Sequence, residues 1–175
     1  RVPAAEMKTL LFQLFIAVDM SSSDTEILAK ILNINDRRCL FSHGMGQVPY
    51  YLQKIKDGLV NPRPEIAVVS EAPGTLVMDG DGGLGYFPCY EGTKRIIAKA
   101  KQGGVAVLTT HNHQHVGSDG NYTRMAIAED CIGIAASSHA DHLDPDGSIY
   151  GVVDTSPMSI AFPTGRQPPL VMDMG

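Results

Sequence analysis

The chain predicts an α/β fold with a helical N-terminal segment, and three observations carry that prediction. Apolar residues recur at spacings of three and four through the first third. Strand-like runs and amphipathic helical patterns then alternate. Pro62 and Pro64 force extended chain between the two textures, dividing a helical segment of residues 1–62 from an α/β region of residues 63–175.

Met7, Leu10, Leu11, Leu14, Phe15 and Val18 form the first apolar stripe, which stops at residues 19–22. Ser23 and Glu26 give an S-x-x-E capping box for a second helix whose apolar face is Ile27, Leu28, Ile31 and Leu32. Residues 51–59 predict a short third helix. Residues 66–69 and 75–78 read as strands, 80–85 as a glycine turn, and 90–101 as an amphipathic helix ending at Gly103-Gly104, with Pro88 delaying its start. Residues 105–110 read as a strand, 122–130 as a helix, 132–136 and 170–172 as strands. This alternation predicts a layer built on a largely central sheet.

With 175 residues and 43% hydrophobic composition, the chain is long enough for one domain with a real core, or one domain and a small appendage. Fourteen basic and 19 acidic residues give a formal net charge of −5, and no basic run exceeds Arg37-Arg38, which argues against nucleic acid as a partner. The longest apolar stretch, residues 10–18, is interrupted by Gln13 and is too short for a bilayer. Cys39, Cys89 and Cys131 are odd in number and widely spaced, so a reducing cytoplasm is expected. The chain starts at Arg1 and ends just after a strand-like run, so the expectation is the front part of a longer protein, or a second copy that supplies the missing neighbours.

Four of the six histidines fall in two places, Ser42-His43-Gly44 and the run from His111 to Gly117. Imidazole titrates nearest neutral pH, so histidines at the ends of predicted elements suggest proton transfer or metal chemistry. If residues 110–115 continued as a strand, His111, His113 and His115 would share one face and could hold a catalytic zinc. Asp119, Asp141, Asp144 and Asp146 would then serve as outer carboxylates. Residues 80–85 spell G-x-G-x-x-G, but the next strand offers no acid for a ribose, and Asp81 would repel phosphate, so a tight turn is the better reading. A calcium loop starting at Asp79 would need Glu where Tyr90 stands.

Beyond these local patterns, a longer series of residues is similar to one known family. Ser42-His43-Gly44-Met45-Gly46-Gln47-Val48-Pro49-Tyr50-Tyr51 comes first, then Gly85, then Gln114-His115-Val116-Gly117 with Gly120 and Tyr122. Ser156-Pro157, Ala161-Phe162-Pro163 and Val171-Met172-Asp173-Met174 complete it. In order, these resemble the malate/L-lactate dehydrogenase family of NAD(P)-dependent oxidoreductases, which includes ureidoglycolate dehydrogenase and diketogulonate reductase. Family members continue well past Gly175, so the chain is similar to their N-terminal half. The resemblance implies a non-Rossmann mixed-sheet cofactor domain, here truncated, a homodimer, NAD or NADP as cofactor, and hydride exchange at carbon 2 of a small 2-hydroxy or 2-oxo acid. It implies His115 as acid/base, or His43 assisted by Ser42. Tyr51 and the position of Gln47 would meet substrate, and His139, Asp173, Met174 and Gly175 would meet cofactor.

Three departures accompany the resemblance. Gln47 stands where the family commonly has Arg, whose guanidinium would clamp a carboxylate at two points. Phe41 stands where Asp is usual, and His111 and His113 occupy positions not usually histidine. The leading expectation is an oxidoreductase that needs no metal. A zinc-dependent hydrolase on His111, His113 and His115, and a homologue or fragment without turnover, are the alternatives.

Overall fold

The computed structural model describes residues 2–138 and 156–175, which divide into two compact units, residues 1–117 and 118–175. In the first unit, α1 (Ala4–Ile16), α2 (Ser22–Arg37) and α3 (Val48–Lys56) bury Leu11, Phe15, Leu28, Leu32, Tyr51 and Ile55 in a common core. Leu84, Tyr86 and Phe87 join that core. The expected boundary near residue 62 therefore falls inside a unit, where three contacts tie the proline segment down. The Asn61 N–H donates to the Gly82 carbonyl, the Glu65 N–H donates to the Asp81 carboxylate, and Pro64 packs on Gly83.

Helix α2 begins earlier than the S-x-x-E pattern suggests. Ser21 is its N-cap, and its Oγ accepts from the Asp24 N–H at 3.1 Å. The Ser21 hydroxyl also donates to the Asp24 carboxylate at 2.6 Å, so a serine-aspartate pair caps the helix two residues ahead of Ser23 and Glu26.

β1 (Ala67–Ala72) and β2 (Thr75–Asp79) form an antiparallel hairpin around Pro73-Gly74, and β2 runs parallel to β3 (Val107–His111), with α4 (Tyr86–Gly103) crossing between them. The helix starts at Tyr86 rather than Tyr90. Pro88 lies in its first turn, where no intrahelical partner is needed for a backbone N–H, so the proline does not delay it. Gly92 lets α4 approach the sheet, because a Cβ there would collide with Leu108 and Met78. Arg95 and Lys99 of α4 pair with Glu71 of β1 at 2.7 and 3.0 Å.

The second unit is α5 (Gly120–Ile127) on an antiparallel sheet of β4 (Gly133–Ala136), β5 (Met158–Phe162) and β6 (Leu170–Met174), in that order. Among the described residues the strands form two three-stranded sheets, one in each unit, where the alternation predicts a largely central sheet. Ser159 and Ala161 are buried on the face that meets α5, whereas Ile134, Met158, Phe162, Leu170, Met172 and Met174 are exposed.

Because Ser21 supplies the cap, Ser21→Ala is expected to cost about 1 kcal/mol, and Ser23→Ala much less. Urea denaturation of the two variants, followed by circular dichroism, separates the two positions.

Candidate active site

After α2, Cys39 turns the chain with φ of 61°, and two short 3₁₀ turns, Phe41–His43 and Met45–Gln47, carry the Ser-His-Gly segment back toward α3. The end of α2 holds this segment through its own side chains. The buried Asn35 donates through Nδ2 to the His43 carbonyl at 2.9 Å, and the Asp36 carboxylate accepts from the Met45 N–H at 3.1 and 3.2 Å. Gly44 is required where it stands, since a Cβ would overlap the Asp36 carboxylate. The His43 Nδ1 and the Ser42 Oγ are 2.9 Å apart.

The second histidine segment is laced to the glycine turn by its main chain. Gly80 N–H donates to the His111 carbonyl, Gly82 N–H to Asn112, Gln114 N–H to Gly83, and Gly85 N–H to the Gln114 and His115 carbonyls, at 2.8 to 3.2 Å. A Cβ on Gly85 would meet Val116, His113 and the Gln114 carbonyl oxygen, so the G-x-G-x-x-G sequence serves close backbone approach to this loop.

His115 emerges from the ladder half-buried, and its Nδ1 lies 2.6 Å from the Tyr51 hydroxyl of α3. That hydroxyl is 3.0 Å from the Tyr86 hydroxyl at the start of α4. Both tyrosines are fully buried, and burial drives both phenols well above their usual pKa. They remain hydroxyls at neutral pH. The His43 ring sits 5.8 Å from the His115 ring, centroid to centroid. Two imidazoles therefore stand side by side, one held by a serine and one by a pair of buried phenols.

A family model described as malate/L-lactate dehydrogenase matches residues 2–175. The chain belongs to this family. The L-sulfolactate dehydrogenase of Methanocaldococcus jannaschii is 35% identical over 155 residues, which is 89% of this chain and 45% of that protein. The malate dehydrogenase of Pyrococcus horikoshii is 33% identical over 174 residues, 99% of this chain and 48% of that protein. Its solved structure matches with a TM-score of 0.89 over 99% of this chain and 50% of that one. The chain spans about half the length of the curated relatives it matches.

Of the residues singled out by resemblance to the malate/L-lactate dehydrogenase family, Ser42, His43, Gln47, Tyr51 and His115 lie in the first unit. His43, Tyr51 and His115 are brought together there. The Gln47 Nε2 donates to the Ser42 carbonyl at 2.6 Å, so this amide braces the Ser-His loop. Phe41 is exposed, and Ser42 is the group beside the His43 Nδ1. Tyr86, Asn35 and Asp36 were not singled out from the sequence. The signal for Tyr86 was its place after Gly85, and Gly117 is where it is because a Cβ there would overlap the Tyr86 ring.

The three loop histidines do not share a face. β3 ends at His111, whose Nδ1 is 3.7 Å from Asp79, while His113 bonds Thr110 and Gln114 and His115 bonds Tyr51. Among the described residues no three His, Cys, Asp or Glu side chains form a metal-binding group, which removes the geometric basis of the zinc hydrolase reading.

Asp173, Met174 and Gly175 lie in the second unit, and His139, with Asp141, Asp144 and Asp146, falls outside the described residues. The Asp173 carboxylate accepts from the Ser118 Oγ at 2.5 Å and the Gly120 N–H at 3.1 Å, closing the start of α5. In the same turn the Nδ2 of Asn121 is buried with no hydrogen-bond partner among the described residues. An unpaired buried donor favours an added acceptor, and a carboxamide, ribose hydroxyl or phosphate oxygen of a nicotinamide dinucleotide fits it. Met174 and Gly175 follow as exposed residues. Asp119 is buried beside Ser137, and burial, opposed by that serine and aided by Asp173, pushes its carboxyl up to about 6.

Tyr51→Phe leaves Nδ1 of His115 and the buried Tyr86 hydroxyl without their shared partner, so a stability loss of about 1–3 kcal/mol is expected from urea denaturation. Asp119 gives a pH signature. Its folded carboxyl holds a proton more tightly than the unfolded one, so it adds stability below about pH 4, lost as pH rises through about 6. The melting temperature of Asp119→Asn minus that of the unmutated chain is therefore expected to increase between pH 4 and 7.

Proposed function

We propose that this chain carries the acid/base half of an NAD(P)-dependent oxidoreductase that exchanges a hydride between nicotinamide and carbon 2 of a small 2-hydroxy or 2-oxo acid. The supporting observation is the 2.6 Å contact between the Tyr51 hydroxyl and the His115 Nδ1, backed by Tyr86. Reducing a ketone requires a proton at oxygen as hydride reaches carbon, and imidazole has the pKa for that transfer near neutral pH.

The phenol pair favours a particular arrangement of protons. Since neither phenol ionises readily, Tyr51 can accept from a protonated Nδ1 while donating its own hydrogen to Tyr86. In that arrangement Nδ1 keeps its hydrogen throughout, and exchange with the substrate oxygen falls to Nε2. His115 then gives a proton in the reducing direction and takes one in the oxidising direction. His43, steadied by Ser42 and 5.8 Å away between ring centres, is the alternative proton donor of the site.

Bound nicotinamide supplies or accepts the hydride. His139, Asp173, Met174 and Gly175 are the cofactor residues of this reading, the buried Asn121 Nδ2 adds an unpaired donor in the turn that Asp173 closes, and the cofactor is NAD or NADP. A cytoplasmic homodimer completes this reading. Among the described residues no helix is long and apolar enough to cross a membrane.

A second reading, a homologue without turnover, is favoured by Gln47. Its amide is committed to the Ser42 carbonyl and brings no charge to a substrate carboxylate.

Oxidation of NADH and NADPH is to be followed spectrophotometrically with a panel of small 2-oxo acids. Turnover that falls roughly 10²- to 10⁴-fold in His115→Asn supports His115 as acid/base. Turnover unchanged in His115→Asn but lost in His43→Asn would assign that role to His43. No turnover in either the folded chain or Gln47→Arg would favour the homologue or fragment without turnover.

A further inference from the structure

Thr110 connects two reactive side chains that the proposed hydride transfer does not use. It lies on the side of β3 that faces α4. Its Oγ1 is 3.4 Å from the Sγ of Cys89, in the first turn of α4, and 2.8 Å from the Nε2 of His113, in the loop after β3. The hydrogens in this chain have only one consistent order. A carbonyl oxygen only accepts, so Nδ1 of His113, 2.8 Å from the Gln114 carbonyl, carries a hydrogen. In the neutral ring Nε2 is then the acceptor, and the Thr110 hydroxyl donates to it. With that hydrogen used, the Thr110 oxygen is left to accept from the Cys89 thiol.

The ring is not free to turn out of this arrangement. A Cβ on Gly80 or on Gly85 would come within 2.6 Å of His113, which shows how closely the glycine turn encloses it. The Asp79 carboxylate, held below its usual pKa chiefly by hydrogen bonds from the Asp81 N–H and Asn112, with His111 and His113 contributing, places negative charge near this ring. The first turn of a helix also favours negative charge on a cysteine.

The geometry points to Cys89 as a covalent modification site, a thiol whose proton passes through Thr110 to His113 and which reacts with hydroperoxides. As the S–H proton moves to Thr110 and the Thr110 proton to His113, the thiolate attacks the near peroxide oxygen. An S–O bond forms and the O–O bond breaks. Hydroxide, or the alkoxide of an organic hydroperoxide, leaves and takes the proton from His113 to become water or the alcohol, so sulfur is oxidised to the sulfenic acid and the peroxide is reduced. His113 is two residues from His115 in the same laced loop, so the added oxygen is expected to disturb the position of that residue.

The three cysteines serve as mutual controls, because Cys39 is exposed, Cys89 and Cys131 are half-buried, and none is in a disulfide. The chain is treated with hydrogen peroxide in the presence of dimedone at neutral pH, and adduct formation at each cysteine is followed by peptide mass spectrometry. The relay through Thr110 makes the Cys89 sulfur the readier nucleophile, so Cys89 is expected to label about tenfold faster than Cys39. Labelling that follows exposure, with Cys39 first, would overturn the inference, and this ranking requires no variant. Thr110→Val is expected to bring Cys89 to or below the Cys39 rate, and Thr110→Ser to retain it. A Cys89 rate unchanged in a folded Thr110→Val, verified by circular dichroism, would equally overturn it.

Discussion

The main-chain ladder between residues 80–85 and 111–115 fixes two imidazoles at once, and the chemistry of the first unit depends on it. Loops carrying histidines are ordinarily mobile surface elements. Here the N–H groups of Gly80, Gly82, Gly85 and Gln114 are all donated across the gap between the loops, so the histidine segment is held much as a strand would be. The glycines matter through what they lack. Side chains at Gly80 and Gly85 would occupy the space of His113, and neither loop could approach the other closely enough to bond. A sequence that looks like a phosphate cradle is used instead as a backing plate for imidazoles.

The helical core holds the other half of the constellation. Tyr51 and Tyr86 are among the largest fully buried side chains, and each shares the core with Leu11, Phe15, Leu28 and Leu32 while its hydroxyl is directed to a polar partner. Burying a hydroxyl is costly unless it is bonded, so the two phenols depend on each other and on His115. This couples packing to function. Core residues that place α3 against the start of α4 also set the 2.6 Å contact on which the orientation of the imidazole rests, and a loss of packing there would be felt at the histidine.

Much of the fold was legible because it rests on periodicity, and what was missed rests on tertiary contacts. The apolar stripes of α1 and α2 are repeated at helical spacing, and their buried members Leu11, Phe15, Leu28, Ile31 and Leu32 are those the spacing selects. The start of α2 was misplaced because a run of serines at 21–23 offers several caps, and the choice falls to the serine whose oxygen reaches the Asp24 N–H. The start of α4 was misplaced because Pro88 reads as a breaker, although a proline in a first turn sacrifices no helical hydrogen bond. The sequence pattern does not mark β5 as a strand. Its alternation of Met158, Ile160 and Phe162 spans only five residues, and Ala161 and Ser159 are buried by α5, which a local pattern does not reveal. Separation of the described strands into two sheets was equally invisible, since strand pairing is non-local.

At the site the same distinction holds in sharper form. The resemblance singles out His43, Tyr51 and His115 as candidates, and the structure brings the three side chains together. Tyr86, Asn35 and Asp36 carry no motif, yet each is what gives a recognised residue its orientation. The Asn35 amide holds the His43 carbonyl, Asp36 holds the Met45 N–H, and the Tyr86 hydroxyl backs that of Tyr51. Residues of this kind are chosen by what they reach, so their identity follows from the placement of α2 and α4 and not from local spacing. The histidine run shows the converse. Regular i, i+2 spacing implied a shared face, but Asn112 adopts φ of 51° and breaks the strand after His111. A single left-handed residue therefore separates the three imidazoles, giving His111 to Asp79, His113 to Thr110 and His115 to Tyr51, and turns an apparent metal triad into three independent positions.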